Sequence, residues 1–257
     1  MNSKLTVDTL VFEVTRRCNM SCKHCLRGES ENLEITREII DKTLDNIEVV
    51  NNITFSGGEP VLNLDAIAYT LEACKERNIP VYGFYIVTNG KFLPDEFLQI
   101  MNEWFFYTVE CNISTSQNEE VLASTIGREM TFFMEEYFSG VALSADKYHD
   151  KIPFKNILKL QSLGYYHPND KKLADSDTLI NMGRAEKLTG VKKVELSEYR
   201  KNAICLTSET EADLLYVNAK GDVLGCCDLS YEKQEEYKKV NVNNPTWLEE
   251  LRKMEEV

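Results

Sequence analysis

The chain has 257 residues, a formal net charge of −13 and 43% hydrophobic residues. This length suits one large domain, or one domain with a small appendage. The negative charge disfavours nucleic acid and anionic membranes as main partners. The sequence lacks the run of about 18 apolar residues that a transmembrane helix needs, and its N-terminus lacks the pattern of a signal peptide. We therefore expect a cytoplasmic protein.

Strands and helices are predicted to alternate along the first half of the chain. Short, β-rich apolar runs predict strands over 9–15, 52–58 and 81–90. Apolar residues at helical spacing predict a helix after each strand, the first capped by Thr36 and the third beginning at Pro94. The segment 112–139 is predicted to be mostly helical.

The second half continues this pattern and then changes. We expect a strand and turn within 140–150, a helix near 153–163, a short strand at 163–168 and a last strand within 178–186. Two β-rich runs around Ala-Lys-Gly-Asp then predict a hairpin, and 241–253 contains a closing helix.

Alternating strands and helices are typical of parallel βαβ units with right-handed crossovers. About six units fit before residue 190, which is too few for an eight-fold barrel, so a partial barrel or a doubly wound sheet is predicted. In either α/β fold, ligands bind at the carboxyl ends of the strands. We expect a core domain over residues 1–190 and a C-terminal extension over 191–257.

Three cysteines stand close together after the first predicted strand, in the stretch CNMSCKHC. A structural zinc site needs four ligands, but Cys18, Cys22 and Cys25 supply three, and His24 lies directly against Cys25. Three thiolates on a four-iron cluster leave one iron open to a small molecule. The spacing favours such a cluster, while a zinc site closed by a distant cysteine remains an alternative.

The spacing Cys18-x3-Cys22-x2-Cys25, followed about thirty residues later by SGGEP, resembles the signature of the radical S-adenosylmethionine (SAM) superfamily. The resemblance covers roughly residues 9–190 and implies a partial (βα)6 barrel. It implies a [4Fe-4S] cluster whose open iron binds the amino and carboxylate groups of SAM. Reductive cleavage of SAM would give a 5′-deoxyadenosyl radical that takes a hydrogen atom from a substrate. A flavodoxin or ferredoxin is the expected reductant.

The same resemblance assigns SAM contacts near the cysteines. His24 stands where the superfamily usually has Phe or Tyr, whose ring lies near the adenine. Gly57, Gly58 and Glu59 match the family motif that offers carbonyl groups and a carboxylate to the SAM ammonium.

Polar side chains follow the later predicted strands and are further candidates. By resemblance, Asn89 lies near the cofactor, and Ser144 and Asp146 lie against the ribose or the methionine carboxylate. Arg184, in the stretch GRAE, either places the adenosine or braces its loop. His149 is a candidate substrate or proton-transfer residue, with a hydrogen-bonded loop histidine as the alternative.

The spacing Cys205-x15-Gly221-x4-Cys226 resembles the opening of the SPASM or twitch extension, which holds auxiliary iron–sulfur clusters in some radical SAM enzymes. No cysteine follows Cys227, so two auxiliary clusters are excluded by count. One auxiliary cluster with Cys205 and Cys226 as ligands, or none, fits this segment. Cys227 is then a candidate free thiol that donates a hydrogen atom to a substrate radical, as an epimerase requires.

The resemblance of the tail favours modification of a peptide or protein, by crosslinking, epimerisation or oxidation. We expect no leader-binding domain before Cys18, so a separate recognition protein would supply that function. Dehydrogenation of a small molecule, such as a sugar alcohol, is the second enzymatic hypothesis. A non-catalytic zinc or iron–sulfur protein is the alternative from another class.

Overall fold

The computed structural model describes residues 3–115, 140–144, 147–162 and 178–257. Its strands are β1 (Leu5–Thr15), β2 (Ile47–Gly57), β3 (Val81–Thr88), β4 (Val141–Leu143), β5 (Thr178–Ile180), β6 (Lys192–Val194), β7 (Leu206–Ser208), β8 (Glu211–Val217), β9 (Asp222–Leu224) and β10 (Val240–Asn241). Its α-helices are α1 (Arg37–Leu44), α2 (Leu64–Glu76), α3 (Asp95–Thr115), α4 (Phe154–Ser162), α5 (Glu198–Lys201), α6 (Tyr231–Tyr237) and α7 (Trp247–Glu255).

The main sheet has the strand order β10-β9-β8-β1-β2-β3-β4, with β7 paired to β8. Strands β1 to β4 run parallel, and β8 also pairs in parallel with the free side of β1. Strands β7, β9 and β10 are antiparallel to their neighbours. The predicted α/β class with parallel βαβ units is confirmed.

Strand β1 lies at the centre of this sheet, between β2 and β8. Its residues from Leu10 to Thr15 are all buried, as expected for a parallel strand covered on both faces. Two of the buried residues, Glu13 and Thr15, are polar. Such residues need hydrogen-bond partners inside the protein, and two partners of Glu13, Tyr216 and Gln234, come from the C-terminal part of the chain.

The core between sheet and helices is organised around Trp104 of α3, which is fully buried. Its indole Nε1 donates a hydrogen bond to the carbonyl of Ile67 in α2 (3.3 Å). The rings of Phe55 in β2 and Phe84 in β3 lie 5.4 and 5.8 Å from it. This aromatic packing joins two helices to two neighbouring strands and holds the strand ends at fixed positions.

Most local predictions for the described residues are confirmed. Thr36 caps α1 by accepting a hydrogen bond from the Ile39 N–H, and the predicted hairpin is formed by β8 and β9. The predicted strand at 163–168 and most of the predicted helix at 112–139 lie outside the described residues. Within the described part, β5 pairs with β6 in a separate two-stranded sheet, because the GRAE stretch turns into a short 3-10 helix, Gly183–Lys187.

The segment after residue 190 contributes β8 to the main sheet and is held at its end by Glu255. The Glu255 carboxylate accepts hydrogen bonds from the backbone N–H groups of Cys205 (2.9 Å) and Leu206 (2.7 Å) and pairs with Lys239 (2.7 Å). Its side chain is only 2% exposed. Helix α7 is thereby fixed to the start of β7. The domain boundary near residue 190 remains a prediction.

We expect Glu255→Ala to lower the free energy of unfolding by about 3 kcal/mol, because buried N–H groups and a buried ammonium lose their partner. Urea unfolding followed by circular dichroism measures this loss. The exposed neighbour Glu256 provides the control, since Glu256→Ala leaves this contact intact. Equal losses for the two variants would contradict the role of the Glu255 carboxylate.

Within the described ranges, no helix has the length and apolar character needed to cross a membrane.

Candidate active site

A cavity of about 460 Å³ lies at the carboxyl ends of β1 to β4. The loop after each of these parallel strands contributes side chains to its wall. The predicted residues that line it are Cys18, Cys22, His24, Cys25, Gly57, Gly58, Asn89, Ser144, His149 and Arg184. The structure therefore brings these predicted residues together on one cavity wall, and their roles remain predictions.

The cysteine loop leaves β1 and is held by hydrogen bonds at both ends. The N–H of Cys18 donates to Ser30 Oγ (3.0 Å), and the carbonyl of Cys25 accepts from the N–H of Arg184 (2.9 Å). The N–H of Cys25 donates to the Cys22 carbonyl (3.2 Å). The three thiols are half-buried and form no disulfide. Burial raises the pKa of the Cys18 thiol, so metal binding there would release a proton.

The number and the residue type of these thiols suit a cluster. In a four-iron cluster each thiolate binds its own iron atom, so the sulfur atoms surround a volume. Across residues 3–115, 140–144, 147–162 and 178–257, no three His, Cys, Asp or Glu side chains form a group that could hold a single metal ion. Three half-buried thiols on the wall of one cavity provide the donor set that a [4Fe-4S] cluster requires.

Gly57 and Gly58 bring the end of β2 against the end of β1. A Cβ on Gly57 would lie 2.1 Å from the Thr15 carbonyl oxygen, and one on Gly58 would lie 2.3 Å from that of Arg17. The sequence predicted close approach to a ligand at these glycines. The structure gives each glycine a backbone neighbour as well, so only glycine fits both the cavity wall and the strand contact.

Glu59 is buried, with 1% of its surface exposed, and is not among the described residues that line the cavity. Its carboxylate accepts hydrogen bonds from Thr88 Oγ1 (2.7 Å), the Asn89 N–H (2.8 Å) and the Val61 N–H (3.2 Å). Burial raises the pKa of this carboxyl group. The contacts make Glu59 a positioning residue that joins the ends of β2 and β3.

Asn89 extends this link to the cysteine loop. Its Nδ2 donates to Oδ1 of Asn19 (2.8 Å), which stands next to Cys18. Ser144 at the end of β4 is connected as well, because its N–H donates to the Thr88 carbonyl (2.9 Å). Hydrogen bonds therefore connect all four strand-end loops. Asn19 was missed by sequence reasoning, since an Asn between two cysteines gives no periodic signal.

The rings of His24, Tyr148 and His149 contact one another beside the third cysteine of the loop. His24 stacks on Tyr148, with ring centroids 4.8 Å apart, and meets the edge of His149 at 4.7 Å. His24 and His149 line the cavity. Such a group of rings offers a flat surface for a nucleobase. Asp146, also predicted here, lies outside the described residues.

Arg184 lies on the cavity wall beside the cysteine loop, in the 3-10 helix Gly183–Lys187. A Cβ on Gly183 would lie 2.4 Å from the Leu26 carbonyl oxygen, so this turn packs closely on the cysteine loop. The Arg184 Nε–H is buried and has no hydrogen-bond partner among the described residues, and its Nη1 is 3.6 Å from Glu29. An unpaired buried donor at a cavity wall fits a site built for a polar ligand.

The C-terminal cysteines do not line the cavity. Cys205 is fully buried in the main core, and Cys226 lies in a second apolar cluster with Tyr216. Cys227 is half-buried. Burial and the neighbouring Asp228 raise the pKa of Cys227 to about 11, so its thiol is neutral near pH 7. The ligand and hydrogen-donor roles predicted for these cysteines remain predictions.

Two charged residues of the wall were missed by sequence reasoning. Arg27, two positions after Cys25, and Asp228, directly after Cys227, both line the cavity. Asp228 pairs with Arg200 (2.5 Å). Both residues are close to cysteines in the sequence, and this was a signal that they could belong to the site. However, no local sequence pattern indicates that residue 228 lies near the loop at residue 27.

A model of the Radical SAM superfamily matches residues 12–160, more than half of the chain. The chain belongs to the radical SAM superfamily. Membership implies a [4Fe-4S] cluster and SAM as cofactors, and the donor set described above fits both.

Curated relatives match shorter segments. The S-adenosylmethionine-dependent nucleotide dehydratase of Selenomonas ruminantium is 30% identical over 85 residues, which are 32% of this chain and 30% of that protein. The putative L-lysine 2,3-aminomutase of Aquifex aeolicus is 28% identical over 110 residues, which are 38% of this chain and 30% of that protein. The match thus spans less than a third of each relative.

Among solved structures, native anSMEcpe with bound AdoMet and Cp18Cys peptide aligns with 96% of this chain and 80% of its own. The TM-score is 0.45 and the sequence identity 14%.

Proposed function

We propose that this protein is a radical SAM enzyme that modifies a peptide or protein by crosslinking, epimerisation or oxidation. The observation that carries the proposal is the single cavity lined by the three cysteines and by polar groups from successive strand ends. When bound, the cluster and SAM supply a carbon radical that removes a hydrogen atom from a substrate.

In this proposal, each group of residues that lines the cavity has a separate role. Cys18, Cys22 and Cys25 hold the cluster and leave one iron open. The loop of Gly57 and Gly58 offers backbone carbonyls to the SAM ammonium. Glu59 stabilises that loop through its hydrogen bonds to Thr88 and Asn89.

The remaining wall residues bind the nucleoside part of SAM and handle the substrate. Asn89, Ser144 and Arg184 donate hydrogen bonds to SAM, and His24 stacks near the adenine. His149, beside His24, is the residue of this wall best suited to contact the substrate or to move a proton. Enclosing these groups in a cavity keeps water away from a reactive radical.

The choice of a peptide rests on the C-terminal segment, whose hairpin between Cys205 and Cys226 resembles the twitch extension. Cys227 would donate a hydrogen atom from its neutral thiol. Dehydrogenation of a small molecule is the second candidate. An auxiliary cluster, a flavodoxin or ferredoxin reductant and a cytoplasmic location complete the proposal.

The test is an anaerobic assay of SAM cleavage. Wild type and a Cys18→Ala, Cys22→Ala, Cys25→Ala triple variant are reconstituted with iron and sulfide, and 5′-deoxyadenosine is measured after addition of SAM and dithionite. We expect about four iron atoms per chain at this site and product in the wild type, with loss of both in the variant. Cys111→Ala, at a buried position on α3, is the control and should keep both.

Iron left in the triple variant would support an auxiliary cluster. One zinc ion per chain in place of iron, or iron without SAM binding, would contradict the enzyme proposal.

A further inference from the structure

Arg27 is a cation on the cavity wall whose position is fixed by the C-terminal segment. Its Nη1 donates a hydrogen bond to the Leu229 carbonyl (2.7 Å), and its own carbonyl accepts one from the Tyr231 N–H (3.0 Å). The guanidinium carbon lies 5.3 Å from the centre of the Tyr216 ring. Three contacts from residues 216–231 therefore hold both the backbone and the side chain of Arg27.

Most donors of this guanidinium are unused. An arginine side chain has five N–H donors and stays charged in proteins. Within the described part of the chain, the structure shows one hydrogen bond from the Arg27 side chain, the bond to Leu229. The other donors belong to a half-buried group that lines the cavity. Because Arg27 lines the cavity, water or a ligand can accept hydrogen bonds from these donors.

The nearest buried carboxylate is already fully occupied. Glu13 accepts hydrogen bonds from Arg16 Nε (2.7 Å), Tyr216 OH (2.6 Å), Gln234 Nε2 (2.8 Å) and the Ala219 N–H (3.3 Å). A carboxylate has about four acceptor sites, so Glu13 has none left for Arg27.

Asp228, the acidic residue on the cavity wall, already forms an ion pair with another residue. Asp228 lines the same cavity, but its carboxylate forms an ion pair with Arg200 at 2.5 Å. The cavity therefore presents a guanidinium that is held in place by its bond to Leu229 and has no described carboxylate within ion-pair distance. A planar fork of this kind binds carboxylates and phosphates through two parallel hydrogen bonds.

We propose that Arg27 binds an anionic group of the substrate, a carboxylate or a phosphate. The inference rests on the proposed function, in which the open iron holds the SAM carboxylate, and the Gly57–Gly58 loop together with His24, Asn89, Ser144 and Arg184 holds the rest of SAM. Arg27 is oriented instead by the C-terminal segment, so its unused donors are available to the substrate. An anionic small molecule, or an acidic side chain or C-terminus of a peptide, fits this position.

Calorimetric titration of inorganic phosphate into the anaerobic, SAM-loaded protein tests the proposal. We compare wild type with Arg27→Gln, which removes the charge, and Arg27→Lys, which keeps the charge and removes the fork. Lys253→Gln removes one exposed charge that takes part in none of the described ion pairs, and it is the matched control. The dissociation constant for SAM and the iron content are measured for every variant.

We expect phosphate binding to weaken at least tenfold in Arg27→Gln and by a smaller factor in Arg27→Lys, with the SAM dissociation constant within threefold of wild type. Lys253→Gln should match the wild type in all three measurements. Unchanged phosphate binding in Arg27→Gln would overturn the proposal. A tenfold loss of SAM affinity in Arg27→Gln would also overturn it, because Arg27 would then serve SAM.

Two further outcomes are decided by the same design. If Arg27→Gln loses its iron, the Arg27→Lys variant is compared with the wild type instead. Weaker phosphate binding by Arg27→Lys with intact SAM binding would support the anion site. Unchanged phosphate binding by Arg27→Lys would refute it. If the wild type binds neither iron nor SAM, the proposed function fails. The phosphate titrations of wild type and Arg27→Gln then still decide whether Arg27 is an anion site.

Discussion

Gly58→Ala is expected to destabilise the protein by about 3 kcal/mol or more and to reduce its iron content sharply after reconstitution. The added Cβ would lie 2.3 Å from the Arg17 carbonyl oxygen and 2.9 Å from that of Arg16. Neither carbonyl moves easily, because the Arg17 carbonyl accepts a hydrogen bond from the Glu59 N–H (2.8 Å) and the Arg16 carbonyl accepts one from the Glu31 N–H (3.1 Å). A shift of Arg17 would displace the adjoining cysteine loop.

Urea unfolding and iron analysis of the reconstituted protein measure the two effects. Gly190→Ala is the control. Gly190 has a positive φ of 73°, but a Cβ there would meet nothing within 4 Å. We expect a cost of about 1 kcal/mol from the backbone conformation alone, without loss of iron. A Gly58→Ala protein with the same small cost and full iron content would disprove the close contact between β1 and β2.

Glu13→Ala is expected to lower the free energy of unfolding by about 4 kcal/mol, because it leaves the buried guanidinium of Arg16 without its closest partner. Glu13 and Arg16 are 0% and 1% exposed and are 2.7 Å apart. The variant also removes the acceptor of Tyr216 OH and of Gln234 Nε2. Since both of these groups belong to the C-terminal segment, that segment should become more sensitive to limited proteolysis.

Glu31 offers a matched control on the same cation. It pairs with Arg16 Nη1 at 2.9 Å, but its side chain is 45% exposed. Because water replaces an exposed partner, Glu31→Ala should cost less than 1 kcal/mol. Chemical denaturation of the two variants under one set of conditions compares them directly. A larger loss for Glu31→Ala than for Glu13→Ala would show that the buried pair is not the main link.

Local patterns were sufficient to predict most of what surrounds the site. The cysteine loop, the glycines of β2 and the polar ends of β3 and β4 each follow an apolar strand, and parallel strands bring their carboxyl ends together. The role of Glu59 was harder to predict. Its place in a family motif predicts contact with SAM, which stays a prediction, and the motif gave no sign that its buried carboxylate also bonds to the end of β3.

Contacts distant in sequence could not be predicted. The pairing of β8 with β1 joins residues about two hundred positions apart. The sequence of neither strand indicates which other strand it pairs with. The same pairing brings Arg27 and Asp228 to one cavity. One signal was present and unused: Glu13 is a charged residue inside an otherwise apolar strand. Such a residue implies a buried partner from elsewhere in the chain.

The central position of β1 has a consequence for the order of events during synthesis. Residues Leu5–Thr15 are made about two hundred residues before Glu211–Val217, which complete the sheet beside them. At roughly 5–20 residues per second this interval is on the order of ten to forty seconds. Until then one side of β1 lacks its strand partner, and Arg27 lacks Leu229 and Tyr231. We therefore expect iron to enter the nascent protein only after nearly all of the chain has been made.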